Sequence, residues 1–258
     1  MKFKNISIVL VFVLLFSGCS FDKSSLLKGN VFEFFFRQEP IKSTPEGLYA
    51  RGTTEYQNGS YKKAREVFTR LKEEYPLHEL AILAELGIAD AFYSDKEYGE
   101  AEAAYRDFTM LHPTHENVPY AIYQMGMCHF VQIGAIDRDQ TETLKAKREF
   151  ERLIARYPQS KFSLLAEKMV RDCKAKLAEH EFYVGSFYFK QKKYAAALQR
   201  FEGIARDYRG VGMDMKIDYY IAETKARLAE QEKEQKAKAE KEQAKAAAAA
   251  KKKKAETP

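Results

Sequence analysis

The 258-residue chain carries 43 Lys and Arg against 37 Asp and Glu, which gives a net charge of +6. The excess lies near the two ends, because residues 19–228 hold 32 basic and 31 acidic side chains. A nearly neutral body lacks the clustered positive face that phosphate backbones require, so nucleic acid is excluded as an expected partner.

The N-terminus has the pattern of an export signal. A positively charged start precedes a largely apolar run from Ile6 to Phe16, which is too short to span a bilayer. The sequence LFSGC, which ends at Cys19, resembles a bacterial lipobox, in which the cysteine is lipidated before the peptide is cut ahead of it. We therefore predict a lipoprotein signal peptide at residues 1–18 and a lipid anchor on Cys19.

Residues 19–44 form the predicted linker behind the lipidated cysteine. Ser20 rather than Asp follows Cys19, and in enterobacterial lipoproteins this directs transport to the outer membrane. The segment Val31–Phe36 contains four phenylalanines, which is unusual for a linker. Three placements of this segment are open: on the membrane surface, against a partner, or folded back on the domain that follows.

Residues 45–228 contain four copies of one pattern. Each copy has a small residue in its first apolar segment. Its second segment has an alanine, an aromatic residue four positions later, and a large apolar residue three positions further. Proline closes the first three copies, at Pro76, Pro113 and Pro158. The repeated positions are Gly52, Ala64, Phe68 and Leu71; Ala89, Ala101, Tyr105 and Phe108; Gly126, Ala146, Phe150 and Leu153; and Gly185, Ala197, Phe201 and Ile204.

Each copy is predicted to form a hairpin of two helices, because apolar residues three and four apart lie on one side of a helix. The small residue lets the partner helix approach closely, and a hairpin buries its apolar side only against its neighbours. The spacing resembles the tetratricopeptide repeat, whose unit is about 34 residues. The sequence therefore predicts an all-α tetratricopeptide-repeat superhelix of about five helical hairpins over residues 45–228, the fifth of them incomplete.

Residues 229–258 form a predicted charged tail of Lys, Ala and Glu. Between Glu230 and Lys254 the tail contains only Glu, Gln, Lys and Ala, which favours helix but offers no apolar side. We expect an extended, solvated C-terminal helix. The lysine cluster 251–254 is either simply solvated or contacts an anionic surface.

No motif of a catalytic, cofactor or metal site stands out, so the chain is predicted not to be an enzyme and to have no cofactor and no metal. His112 and His115 flank a predicted turn and lack further ligands. Cys128 and Cys173 occupy apolar helical positions, which favours buried, inert thiols over the disulfide that export would permit.

The first helices of the repeats carry the candidate binding surface. Tetratricopeptide arrays bind peptides in the concave groove formed by one side of these helices, and tyrosines there can bury a ligand ring while the hydroxyl finds a partner. For any one of these residues the alternative is packing against the neighbouring repeat. The predicted groove residues are Tyr49, Thr53, Tyr56, Leu86, Asp90, Tyr93, Tyr120, Tyr123, Met127 and Phe130.

Four segments are more specific than the repeat pattern. They are LHPTHENVPYAIYQMG at residues 111–126, DRDQ at 137–140, RYPQSK at 156–161 and LAEHEFYVGSFYFK at 177–190. Together with the lipobox they resemble the BamD family, the tetratricopeptide lipoproteins of the outer-membrane β-barrel assembly machinery. The resemblance covers residues 45–228.

This resemblance implies a lipid-anchored outer-membrane protein that faces the periplasm. Its N-terminal repeats would take the targeting strand of unfolded outer-membrane proteins. Its C-terminal repeats would dock on a POTRA domain of the barrel-forming subunit, with Arg200 at the docking surface. Other assembly lipoproteins are compatible partners, and no turnover chemistry is required.

Two other interpretations are open at this point. One is a pilotin-like tetratricopeptide lipoprotein that assists a secretin or pilus. The other is an enzyme of cell-wall or lipid metabolism built on helical repeats, for which the sequence offers no cluster of convergent carboxylates or histidines.

Overall fold

The computed structural model describes residues 44–255, with side chains described for residues 44–248 and 251. The predicted signal peptide, Cys19, the phenylalanine-rich linker and residues 256–258 lie outside this range. The described residues form nine helices and no strand, which confirms the predicted all-α class. The helices are α1 (Pro45–Gln57), α2 (Tyr61–Glu74), α3 (Glu79–Ser94), α4 (Tyr98–Leu111), α5 (Val118–Phe130), α6 (Thr141–Arg156), α7 (Lys161–Lys190), α8 (Tyr194–Asp207) and α9 (Asp214–Ala255).

The first eight helices form four hairpins, and the small residues bring the two helices of a pair together. A Cβ atom built on Gly52 would stand 2.5 Å from Cε1 of Phe68, so only glycine lets this ring lie against the backbone of α1. The same closeness recurs at Gly126 with Phe150 and at Gly185 with Phe201. The predicted role of the small residues is therefore confirmed in these three repeats.

The turns inside three of the hairpins share one backbone feature. The second-last residue before the second helix has a left-handed conformation, with φ of +74° at Gly59, 66° at Lys96 and 58° at Lys192. Glycine adopts this region freely, whereas an L-residue with a Cβ atom pays about 1–2 kcal/mol. The third hairpin differs because residues 131–140 separate α5 from α6.

Helix α7 joins two parts of the array. Val170 and Cys173 in its first half belong to the central apolar cluster around Phe150, whereas Ala178 and Phe182 pack in the last cluster around Phe201. One continuous helix therefore serves as the end of the third repeat and the start of the fourth, as the proline-free sequence predicts.

The final helix α9 crosses the predicted boundary between residues 228 and 229 without a break. Ile217, Tyr220 and Thr224 in its first turns pack on the fourth hairpin, while residues 232–248 are exposed. Within the described residues, no helix is both long and apolar enough to cross a membrane.

His112 and His115 make hydrogen bonds within the protein, and Cys128 and Cys173 are buried. The ring of His112 lies 2.9 Å from Glu85, and Nδ1 of His115 accepts a hydrogen bond from the backbone of Asn117. Cys128 and Cys173 are buried free thiols, and burial raises the pKa of each to about 12. Both cysteines are therefore protonated and unreactive at neutral pH.

Candidate ligand-binding groove

A groove of about 630 Å³ is lined by residues of the first three hairpins. The helices α1, α3 and α5 line it together with the start of α7, which positions side chains from distant parts of the sequence around one space. The lining residues are Tyr49, Thr53, Tyr56, Phe68, Leu83, Leu86, Gly87, Asp90, Glu116, Asn117, Tyr120, Ser160, Lys161 and Phe162.

Six of the ten residues predicted for the groove line it, and four do not. The four are half-buried and pack against the central apolar cluster instead. Tyr93 contacts Tyr98 with ring centroids 5.5 Å apart, and Phe130 lies 6.4 Å from Phe150. The six that line the groove are Tyr49, Thr53, Tyr56, Leu86, Asp90 and Tyr120, and the four that do not are Tyr93, Tyr123, Met127 and Phe130.

Eight lining residues lie outside the predicted set. Phe68 comes from a second helix, and Ser160, Lys161 and Phe162 belong to the following repeat. Counting along the first helices does not find them, because their approach depends on how neighbouring hairpins stack. Gly87 is different: it stands two residues before the small residue Ala89, and the sequence alone gives it no evident role.

Asp90 is the polar centre of the groove. Its Oδ1 accepts hydrogen bonds from the hydroxyls of Tyr105, at 2.5 Å, and Tyr120, at 2.6 Å. Gln124 donates from Nε2 to the same two hydroxyl oxygens, at 3.4 and 3.3 Å. Tyr120 lines the groove, whereas the Tyr105 side chain is fully buried. The hydrogen bonds to Asp90 and Gln124 connect the two side chains and fix the orientation of the Tyr120 ring.

The electrostatics of this network follow from burial. Burial raises the pKa of Asp90, and the two tyrosine hydrogen bonds oppose that shift. Burial also raises the pKa of Tyr105 and Tyr120, and the neighbouring Asp90 carboxylate adds to the rise. The hydroxyls therefore stay protonated and act only as donors to Asp90, which suits a binding site and supplies no nucleophile.

The remaining wall of the groove is held by tyrosine and threonine. The Tyr56 hydroxyl lies 2.8 Å from Oγ of Ser94, which ties the end of α1 to the end of α3. Thr53 donates from Oγ1 to the backbone oxygen of Tyr49 at 2.9 Å. In the described part of the chain, no cluster of His, Cys, Asp and Glu is arranged to hold a metal ion.

Arg200 lies on a separate surface, in a polar hollow of about 340 Å³ on the fourth hairpin. Its Nη1 lies 2.9 Å from Oε2 of Glu181, and 44% of its side chain is exposed. Arg206 and Asp207 form a second ion pair in the same hollow, at 2.8 Å. A half-exposed guanidinium with one carboxylate partner keeps donors available for another molecule.

Comparison with known proteins gives consistent matches. The family model of YfiO, an outer membrane lipoprotein, matches residues 42–241. The outer membrane protein assembly factor BamD of Rickettsia prowazekii is 28% identical over 221 residues, which cover 86% of this chain and 83% of the relative. The factor of the same name from Neisseria meningitidis serogroup A is 30% identical over 174 residues, which cover 64% of this chain and 65% of the relative.

Among solved structures, the chain is similar to the kinesin light chain TPR-like repeats of Podosopora anserina. It is 12% identical, with a TM-score of 0.42, and covers 73% of this chain and 98% of that one. Because the family model covers residues 42–241, from before α1 into α9, the chain belongs to the YfiO family of outer membrane lipoproteins, the family of the assembly factor BamD.

Proposed function

We propose that this chain is a lipoprotein component of the outer-membrane β-barrel assembly complex. In this role it binds the targeting segments of unfolded outer-membrane proteins in its groove and docks on the POTRA region of the barrel subunit through its fourth hairpin. It supports folding and insertion without catalysing a reaction. The family membership and the names of the relatives support the assembly role, and the tyrosine-walled groove supports the binding role.

The chemistry of the groove favours an extended segment with aromatic side chains. Three rings, those of Tyr49, Tyr56 and Phe68, supply apolar area, and the Tyr56 hydroxyl and the hydrogen-bonded Asp90 and Tyr120 supply polar groups. Amphipathic tyrosines contact large ligands at low conformational cost, because each has only two side-chain torsions. The groove is open to solvent, which suits reversible capture and release of a client.

Two adjacent threonines on α1 provide a matched test of the groove. Thr53 lines the groove, whereas Thr54 is exposed, and each donates from Oγ1 to a backbone oxygen four residues earlier at 2.9 Å. We expect Thr53→Arg to weaken binding of a labelled peptide that ends in phenylalanine by about tenfold or more, which corresponds to about 1.4 kcal/mol. Thr54→Arg should bind as the unmodified chain does. Equal affinity of the two variants would remove the groove from the proposal.

The docking role is carried by Arg200. Its planar guanidinium can hold a partner carboxylate by two parallel hydrogen bonds, which a lysine does not reproduce. We expect the Arg200→Glu variant not to capture the purified POTRA region in a pull-down from detergent. The control is Arg106→Glu, since Arg106 is an exposed arginine on α4 that also pairs with a glutamate of its own molecule, Glu102. Undiminished capture by Arg200→Glu would contradict the docking role.

The proposed location is the periplasmic side of the outer membrane, held by lipid on Cys19. Acyl chains contribute about 0.8 kcal/mol for each buried methylene, and several chains together give stable anchoring. We expect Cys19→Ala to leave an unprocessed or soluble product. Membrane fractionation measures this, and an unchanged outer-membrane fraction would contradict the lipid anchor.

A further inference from the structure

The last helix α9 begins a fifth repeat that has no second helix. Ala222 stands 21 residues after Phe201, the aromatic residue of α8, as Ala89 stands 21 residues after Phe68 of α2. Ala222 is therefore the small residue of the fifth unit. Residues 229–258 contain no aromatic and no large apolar residue, so they do not supply the helix that would pack on it.

In each of the four hairpins the small residue is the middle one of three residues that contact the second helix. One larger residue comes three positions before it and another comes four positions after it. In the first hairpin the Tyr49 ring lies 5.8 Å from Phe68, Gly52 lies against the same ring, and Tyr56 lies 5.5 Å from Tyr61. The four sets are Tyr49, Gly52 and Tyr56; Leu86, Ala89 and Tyr93; Tyr123, Gly126 and Phe130; and Phe182, Gly185 and Phe189.

The equivalent residues of α9 are exposed. Tyr219 is 64% exposed, and Met215, one turn before it, is 89% exposed, whereas Ala89 in the second repeat has no exposed surface. These residues lie on the side of α9 opposite Ile217 and Ile221, which pack in the cluster around α8. We name this side the open face, and its residues are Met215, Tyr219, Ala222 and Ala226.

The open face has the character of an interface between helices. Repeat arrays usually end in a unit whose outer side is polar, because that side remains in water. The open face is instead apolar from Met215 to Ala226, and only residues 230–254 are limited to Glu, Gln, Lys and Ala. This apolar stretch of 12 residues is close in length to the second helices α2, α4 and α8, which have 14 residues each.

The second repeat indicates which side chain fits on an alanine of this kind. Its small residue Ala89 is followed by Asp90, and its aromatic residue is Tyr105, whose hydroxyl donates to Asp90 at 2.5 Å. The three repeats with glycine have phenylalanine at the aromatic position. On α9 the small residue is likewise followed by an acid, Glu223, which pairs with Arg227 of the same helix and has 33% of its side chain exposed. A tyrosine therefore suits the fifth unit best.

We propose that the open face binds one amphipathic helix of a partner protein, which takes the place of the missing second helix. The partner helix carries an alanine, a tyrosine four residues later and a large apolar residue three positions further. Its tyrosine ring lies on Ala222, and the hydroxyl donates to Glu223. The buried apolar area of Met215 and Tyr219 stabilises the complex. The inference goes beyond the proposed function, because it involves neither the groove nor Arg200.

The probe that tests it is a fluorescein-labelled peptide with the sequence of α4, residues 98–111. This helix carries Ala101, Tyr105 and Phe108 at the required spacing. A hydrocarbon staple on the polar side keeps the peptide helical, since isolated helices of this length are marginal in water. Fluorescence polarisation measures its binding to the full-length chain in detergent. We expect the same peptide with Tyr105→Ala to bind at least about tenfold more weakly.

Two variants of the chain locate the binding. Ala222→Arg obstructs the open face, and Ala237→Arg is the control, because Ala237 is an exposed alanine further along the same helix. We expect the probe to bind the unmodified chain and Ala237→Arg alike, and to bind Ala222→Arg at least about tenfold more weakly. Circular dichroism checks that both variants are folded. Equal binding to Ala222→Arg, equal binding of the two peptides, or no binding of the probe would overturn the proposal.

Two other occupants of the open face would give different results. If the unmodified chain sediments as a dimer and Ala222→Arg as a monomer, a second copy of the chain covers the open face. If Ala222→Arg fails to capture the POTRA region while Ala237→Arg captures it, the POTRA region covers the open face. Either result would overturn the separate partner helix.

Discussion

The close approach of Gly126 to Phe150 gives a quantitative test of the repeat packing. A Cβ at this position would stand 2.5 Å from Cε1 of Phe150 and 2.8 Å from Cδ1 and Cζ. Ordinary carbon contacts are about 3.5–4.0 Å, so the ring or the helix must move by about 1 Å. Phe150 has no exposed surface and is enclosed by the central cluster, so it has little room to yield.

The free energy of unfolding of Gly126→Ala combines two opposing effects. Overpacking a filled core costs about 1–3 kcal/mol. Replacing glycine by alanine inside a helix returns about 1 kcal/mol. The net expectation is a loss of up to about 2 kcal/mol. Gly203→Ala on α8 should only raise the free energy of unfolding, by about 1 kcal/mol, because alanine favours the helix. No overpacking opposes this gain, since the nearest atom to a Cβ at this position is the Arg206 guanidinium at 4.0 Å.

Urea unfolding followed by circular dichroism measures both variants. The midpoint should fall for Gly126→Ala and rise slightly for Gly203→Ala, with the two unfolding free energies about 2 kcal/mol apart. A rise of similar size for both variants would refute the view that glycine is required for the approach of the two helices.

Three further predictions concern the polar centre of the groove and the turns. Asp90→Ala should lower the free energy of unfolding by about 1–3 kcal/mol, because the buried hydroxyl of Tyr105 loses its acceptor. Adding Tyr105→Phe to this variant should recover part of the loss. No recovery would contradict the role of this hydrogen bond. Burial raises the pKa of Asp90 above its unfolded value of about 3.9, so the folded state takes up the proton first. The free energy of unfolding of the unmodified chain, relative to that of Asp90→Asn, should therefore rise as the pH falls from the raised pKa towards about 4. Urea denaturation at several pH values measures this difference, and a decrease in it over this pH range would contradict the direction of the pKa shift. Lys96→Gly should raise the free energy of unfolding by about 0.5–1 kcal/mol by relieving its positive φ of 66°, whereas Lys63→Gly in the exposed part of α2 should lower it by about 1 kcal/mol, both measured by urea unfolding. A loss of stability at both positions would contradict the role of the left-handed turn residue.

The helices and their pairing could be predicted from sequence because the same spacing of a small residue, an alanine and an aromatic residue occurs four times. The small residue, the alanine and the aromatic residue all lie on the buried sides of their helices, as at Gly52, Ala64 and Phe68. The proline-free stretch before Gly185 likewise indicated the long helix α7. The repeat pattern does not predict which residues line the space between neighbouring hairpins.

The groove shows this limit most clearly. Tyr123 occupies in its helix the place that Tyr49 occupies in α1, yet it lies outside the groove lining because Phe162 of the next helix approaches its ring to 5.9 Å. In the first repeat the equivalent residue of the following helix is Leu80, and Tyr49 lines the groove. Whether equivalent positions line the groove thus depends on the residues of the next helix.

The hydrogen-bond network of Asp90 needed the structure for a similar reason. Tyr105 stands where the other three repeats have phenylalanine, and a buried tyrosine usually has a partner for its hydroxyl. That exception was visible in the sequence. The partner was not, because Asp90 and Tyr120 come from helices on either side of α4.

Photo-crosslinking tests the central claim, that the groove of the first repeats holds aromatic side chains of client proteins. A targeting peptide with benzoylphenylalanine in place of its terminal aromatic residue is bound to the full-length chain and irradiated. Mass spectrometry then locates the crosslinked residues. We predict crosslinks on the groove residues Tyr49, Tyr56, Phe68, Thr53, Leu83 and Leu86, and their loss when unlabelled peptide competes. Crosslinks concentrated on α8 and α9, or spread evenly over the surface, would contradict the account.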